Sequence, residues 1–192
     1  MATYNESLTV AQGNAVLGVC EGLRISHSWR SVDPCIFIEI GRLKRETLQL
    51  SNHSKPLRTL SGQITCMTEA DWRVEKPRSI HFGSRFSDRR IDKLLKSLIG
   101  TRIIAVGLLG RLPELRIELD DGRVISTFTN WSNQPRWLIG FNDLKLFRLR
   151  ALPSDTDISP WMHVLGGHPA IEYCYDDAKP AERQFFQQFR HA

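Results

Sequence analysis

The groups in this sequence that could do chemistry are few and scattered. His163 and His168 bracket a pair of glycines in HVLGGH and could hold a metal only from a turn, with Asp155, Asp157 or Cys174 as a further ligand. Zinc sites use tighter, recognisable spacings, and a polar loop accounts for the segment. Asp120 and Asp121 form a pair of carboxylates, but they run straight into Gly122. Turn chemistry explains them, because aspartate bonds its own backbone and tolerates the left-handed region. Arg73 and Glu75 stand two residues apart beside Trp72. Arg73 is either an anion anchor or half of an ion pair on a strand face, and the ion pair is the commoner arrangement in sheets. GxSxG, HExxH and a glycine-rich phosphate loop are all absent from the sequence. Cys20, Cys35, Cys66 and Cys174 are widely spaced with no CxxC pair, which predicts buried, reduced thiols. No cofactor and no metal are expected.

The strongest polar feature is a cluster of cations. Arg73, Lys76, Arg78, Arg85, Arg89, Arg90, Lys93, Lys96 and Arg102 face only Glu75, Asp88 and Asp92 over the same stretch, and the balance reverses from Asp155 to Glu182. Arg85, Arg89, Arg90, Lys93 and Lys96 are the candidate binding residues, with Trp131 and Arg136 in a neighbouring turn as an aromatic and cationic supplement. Such a face steers an acidic partner toward itself; the plain alternative is a solvated helix surface. Asp92 and Lys96 are spaced for a favourable i, i+4 pair, whereas Arg89 and Lys93 repeat like charge at that spacing. Nucleic acid is the second candidate partner. Against it, no recognised module is present and aromatics do not interleave the basic residues.

The element that must carry these cations is a helix. Ser87 is placed to cap it, Phe86 and Ile91 to staple it, and Gly100 to close it. Ile91, Leu94, Leu95 and Leu98 recur at the spacing of a single apolar stripe. After Gly100 the period changes to 2. Leu115, Ile117 and Leu119 alternate with Arg116 and Glu118, Asp121-Gly122 is a hairpin turn, and Trp137, Ile139 and Phe141 form a further alternating face with Trp137 pointing into the core. Four adjacent strands are predicted between Gly100 and Phe141.

Upstream, residues 1–13 read as a loose polar segment and Asn14 to Leu23 as a weak helix interrupted by Gly18 and Gly22. Cys35 to Ile40 reads as a central strand, Leu43 to Leu50 as its more exposed neighbour, and Asn52 to Pro56 as loop. Leu60 to Thr68, Trp72 to Lys76 and Ser79 to Ser84 read as strands. Downstream, Leu144 to Leu149 suits an edge strand, Ala151 to Pro160 a linker, Trp161 to Leu165 a helical turn and Ala170 to Tyr175 a last strand. Pro180 opens a terminal helix that carries Phe185, Phe186 and Phe189 and offers a route to a homodimer.

With 192 residues, 41% of them hydrophobic, the chain suffices for one sizeable core. The division expected is a segment 1–13, an α+β domain over 14–150 and an extension over 151–192 packed on it. No apolar run is long enough to span a membrane, and MATYNESLTVAQGN lacks the basic and apolar regions of a secretory signal. A cytoplasmic protein is expected. Net charge is +5 and the isoelectric point about 9.2.

The order CIFIEIG, DWRVE, SIHFGS, a helix closing in LIG and a hairpin with DG resembles a loose class of small uncharacterised bacterial proteins. Some of these look like the immunity proteins encoded beside polymorphic toxins. The resemblance covers about Ile36 to Phe141 and is carried by Gly41, Trp72, Arg73, Glu75, Ser84, Leu98, Gly100 and Gly122. It implies a binding protein and no catalytic residues. The fold expected is α+β, a largely antiparallel curved sheet of roughly seven to nine strands with one packed helix and a C-terminal helix. The function expected is a non-enzymatic protein-binding module of the immunity or adaptor kind, whose partner, such as a toxin from a neighbouring gene, presents an acidic face.

Overall fold

The structure, a computed structural model, describes residues 3–31, 34–48, 57–69, 71–128, 137–142, 162–166 and 171–176. Helix and antiparallel strand combine as expected for α+β, but the strands divide among separate sheets instead of one meander. A seven-stranded sheet has the order β1 (Thr3–Leu8), β14 (Ile171–Asp176), β13 (Met162–Gly166), β12 (Trp137–Phe141), β6 (Ile64–Thr68), β3 (Ile36–Ile40), β2 (Ile25–Arg30). A five-stranded sheet has the order β8 (Ser79–Gly83), β7 (Asp71–Lys76), β11 (Val124–Phe128), β10 (Glu114–Leu119), β9 (Ile103–Leu109). The ribbon β4 (Lys44–Leu48) and β5 (Leu57–Ser61) stands apart. Among the described residues every strand pairing is antiparallel.

A buried apolar cluster draws on both larger sheets. Ile36, Ile38, Ile40, Ile64, Cys66, Trp137, Ile139 and Phe141 come from one, and Trp72, Val74, Phe82, Leu115, Ile117 and Ile125 from the other. The two buried indoles also satisfy their N–H groups. Trp72 Nε1 donates to the Pro34 carbonyl at 2.5 Å and Trp137 Nε1 to the Pro113 carbonyl at 2.8 Å, so burying these large rings leaves no orphan donor.

The hairpin β10–β11 turns at Gly122, whose φ of 80° is open to glycine at little steric cost. The meander β9–β10–β11 is as expected, but the fourth strand leaves it. β12 pairs with β6 and β13, and β11 takes β7 as its other neighbour. The connection over residues 129–136 is too long to impose hairpin pairing, and β12 is buried at Trp137, Ile139, Gly140 and Phe141. That near-continuous burial suits a sheet interior.

Other boundaries differ for local reasons. Thr3–Leu8, expected as part of a loose segment, form β1 and pair with β14, and helix α1 (Val10–Leu17) starts ahead of Asn14. Thr9 and Gln12 form a reciprocal capping box, with Gln12 N donating to Thr9 Oγ1 at 3.2 Å and Thr9 N to Gln12 Oε1 at 2.9 Å. The segment Leu60 to Thr68 breaks at Gly62, where a Cβ would come within 2.6 Å of Ile40 N. β3 has β2 and β6 on its two edges, and β4 pairs with β5 rather than back onto β3. Met162–Gly166 is a strand, not a helical turn. The Asn52 to Pro56 loop, the Leu144 to Leu149 strand, the 151–160 linker and the C-terminal helix fall outside the described residues. Among the described residues no helix is long and apolar enough to cross a membrane.

Helix α2 (Asp88–Leu95) and the 3-10 turn Lys96–Leu98 cover the free edge of β2. Ser28 Oγ donates to the Leu95 carbonyl at 2.9 Å, Gly100 N to Ile25 O at 2.7 Å and Ile25 N to Thr101 O at 2.9 Å. Ile91, Leu95 and Leu98 are buried, each worth about 1.5 to 3 kcal/mol of removed apolar surface. Leu94 is only partly covered. Ser87 has the extended backbone of a cap, but its side chain makes no capping bond; its carbonyl instead receives Arg90 N and Ile91 N, both at 2.9 Å.

Candidate functional site

The predicted cations do not behave alike. Arg85, with an 87% exposed side chain, ties to Asp71 Oδ1 at 3.1 Å. Arg90 lays its guanidinium 4.2 Å over the Phe86 ring, a cation–π contact that also screens that ring from other partners. Arg89, Lys93 and Lys96 are exposed and have no ion-pair partner among the described residues. They recur at i, i+4 and i+7, so they line one stripe opposite the buried Ile91 and Leu95.

The expected Asp92–Lys96 pair does not form. Arg30, at the end of β2, reaches across and takes both acids of the helix, with Nη2 at 3.2 Å from Asp88 Oδ2 and Nε at 3.2 Å from Asp92 Oδ1. The Arg30 side chain is 18% exposed while Asp88 and Asp92 remain largely in solvent. The acids of α2 are thus neutralised from the sheet side, and its outward cations keep their charge. Arg30 was not legible as a site residue, since ISHSWR carries it as an isolated cation far from the helix in sequence. Ile99, 42% exposed, follows the stripe and adds an apolar contact at its end. Trp131 and Arg136 lie outside the described residues.

The outward face of the five-stranded sheet is organised on the opposite plan. Arg73 pairs with Glu75 on β7, and Arg116 Nε with Glu118 Oε1 at 3.0 Å on β10. The sequence shows both as R-x-E on alternating strands, DWRVEK and ELRIEL, a repeat that was there to be found. Register sets Arg73 opposite Ser126 and Ser126 opposite Arg116. Between these side chains, Phe128 and Leu109 lies a cleft of about 300 Å³.

The remaining candidates are structural. Arg123 donates through Nε to Asp121 Oδ2 at 2.8 Å, through Nη1 to Ser97 Oγ at 2.8 Å and through Nη2 to the Ser97 carbonyl at 2.7 Å. It latches the hairpin to the end of α2. Its side-chain hydrogen bond holds the Asp121 carboxyl below the usual aspartate value, against an opposing effect of burial. Asp120 Oδ1 receives Arg102 N at 3.0 Å. Glu39, 3% exposed, accepts from Gly62 N at 2.8 Å and Thr65 Oγ1 at 2.6 Å, bracing the break between β5 and β6. Burial pushes the Cys20 thiol up to about 12 and the Cys35 thiol up to about 11, and raises Cys66 as well. None of these three is a ready nucleophile at neutral pH. His163 sits on β13 and His168 lies outside the described residues; among the described residues no group of His, Cys, Asp and Glu could hold a metal.

No family model matches the chain, and neither does a curated protein or a solved structure.

Proposed function

We propose that the protein is a non-enzymatic protein-binding module of the immunity or adaptor kind, and that the Arg89, Lys93, Lys96 stripe of α2 meets an acidic face of its partner. One observation carries the reading: Arg30 engages both acids of α2 and leaves the outward cations without partners. A helix left with uncompensated charge on a rigid, core-anchored scaffold attracts an oppositely charged surface at little ordering cost. The resemblance to immunity proteins supports a protein as that surface. Nucleic acid fits less well, because Phe86, the aromatic at the start of the helix, is already covered by Arg90 and stacking platforms are what single-strand binding requires.

The test is co-expression with the products of neighbouring genes, followed by the same experiment with Arg89→Glu and Lys93→Glu combined. A partner that co-purifies with the native chain and is lost with the variant supports the reading. Failure of every neighbour to co-purify, or retention by the variant, overturns it. A single-stranded DNA oligonucleotide that binds with a steep salt dependence removed by the same substitutions transfers the stripe to nucleic acid instead.

A further inference from the structure

The outward face of the five-stranded sheet carries a second group of arginines in a different arrangement. Arg73, Ser126 and Arg116 form one cross-strand row on β7, β11 and β10, so the arginine Cα atoms stand roughly 10 Å apart with a hydroxyl between them. Each guanidinium is held by one edge only. Arg73 uses Nε for Glu75 and Arg116 uses Nε for Glu118, and the terminal Nη groups of both have no hydrogen-bond partner among the described residues. Ser126 Oγ has none either. Ser126, the small residue between the two arginines, lines a cleft of about 300 Å³ that opens there.

The rest of the lining narrows the ligand class. Phe128 and Leu109 give an apolar wall, and the Arg73 guanidinium lies 4.2 Å over the Phe128 ring, which fixes its plane. Glu114, opposite Leu109, puts a carboxylate at the same end, its Oε2 also accepting from Thr127 Oγ1 at 2.7 Å. Two part-engaged forks and a hydroxyl suit a planar carboxylate, which accepts paired N–H groups. A phosphate dianion suits them less, since Glu75 and Glu118 already offset the arginine charge. A cation attached to that carboxylate would find Glu114, and an apolar side chain would find Phe128 and Leu109. The volume stands at the low end of small-ligand sites.

We propose that this cleft binds a small zwitterionic carboxylate, a free α-amino acid with an apolar side chain, independently of the α2 stripe. The test is titration of the purified chain with L-leucine, followed by amide resonances, with leucine amide and inorganic phosphate as parallel arms. Saturable millimolar binding of leucine is expected, together with loss of binding for the amide and none for phosphate. Arg116→Gln and Ser126→Leu should each weaken leucine by roughly tenfold or more, the first by removing a fork and the second by filling the floor with all charges kept. Spectra of the variants report that the fold persists. Arg89→Glu with Lys93→Glu should leave leucine affinity unchanged, so failure of the α2 reading and failure of this one are separable. No saturable leucine binding, equal binding of the amide or of phosphate, or an affinity indifferent to both cleft variants overturns the proposal.

Discussion

The helix α2 and the outward face of the five-stranded sheet carry the same kinds of charged residue and reach opposite electrostatic states. On β7 and β10 each arginine meets a glutamate two residues along its own strand, Arg73 with Glu75 and Arg116 with Glu118. A strand puts i and i+2 on one face, so the pairing is local and nearly automatic. On α2 the candidate pair is Asp92 with Lys96, spaced for an i, i+4 contact, yet both helix acids turn to Arg30 from β2. The helix gives up its acids to tertiary structure and keeps its cations. Free charge is therefore a property of where the elements pack, not of how many cations the segment contains.

The comparison can be broken most forcefully by removing the scaffold under the stripe. Leu95→Ala truncates a side chain 1% exposed and should cost about 2 to 5 kcal/mol in urea unfolding. Partner binding should then fall only as far as folding does. A binding loss with stability intact would show that the buried face of α2, and not its charge, makes the contact.

Next in size is the latch between the hairpin and α2. Arg123→Ala leaves Asp121 without its main side-chain donor and should cost about 1 to 3 kcal/mol, since the Asp121 side chain is 37% exposed. Asp121 also gives the latch a pH dependence. Because its folded pKa is depressed below 3.8, its contribution is fully present above that value and is lost as pH falls through the lower folded one. Asp121→Asn should flatten this part of the acid limb in unfolding measured from neutral to strongly acidic pH. An acid limb identical to that of the native chain would remove the pair from the account.

A smaller effect sharpens the contrast directly. Arg30→Ala frees Asp88 and Asp92, allowing Asp92 to reach Lys96, and should cost about 1 kcal/mol of stability because the acids are solvent-exposed. It should nevertheless slow association with an acidic partner, although Arg30 is not on the stripe. Unchanged association would mean that the diversion of the acids has no consequence outside the fold.

Much of the local structure was legible because local rules sufficed. The apolar stripe of α2, the Asp121-Gly122 hairpin, the central strand Ile36–Ile40 and the buried Trp137 all follow from period and turn chemistry. The strand β1 was not legible, since TYNESL has little apolar alternation and its partner β14 is distant in sequence. The departure of β12 from the meander was hidden for the same reason: pairing across a long connection depends on which sheet can bury both faces. The helix start at Val10 was available in the Thr9 to Gln12 capping box. For the site, the cations could be read from sequence, but which of them stay unpaired depends on Arg30, a residue some sixty positions upstream that only packing brings near. The cleft needed the register that sets Arg73, Ser126 and Arg116 in one row.

The smallest structural change carries the most weight. Arg89→Glu with Lys93→Glu lies off the buried stripe and should move stability by no more than about 0.5 kcal/mol. The most direct measurement is the association rate of this variant and of the native chain with a co-purified partner, across a series of salt concentrations. The account predicts a markedly slower variant whose rate scarcely responds to salt, beside a native chain whose rate falls as salt rises. Equal rates with equal salt dependence would contradict it and leave α2 a solvated face.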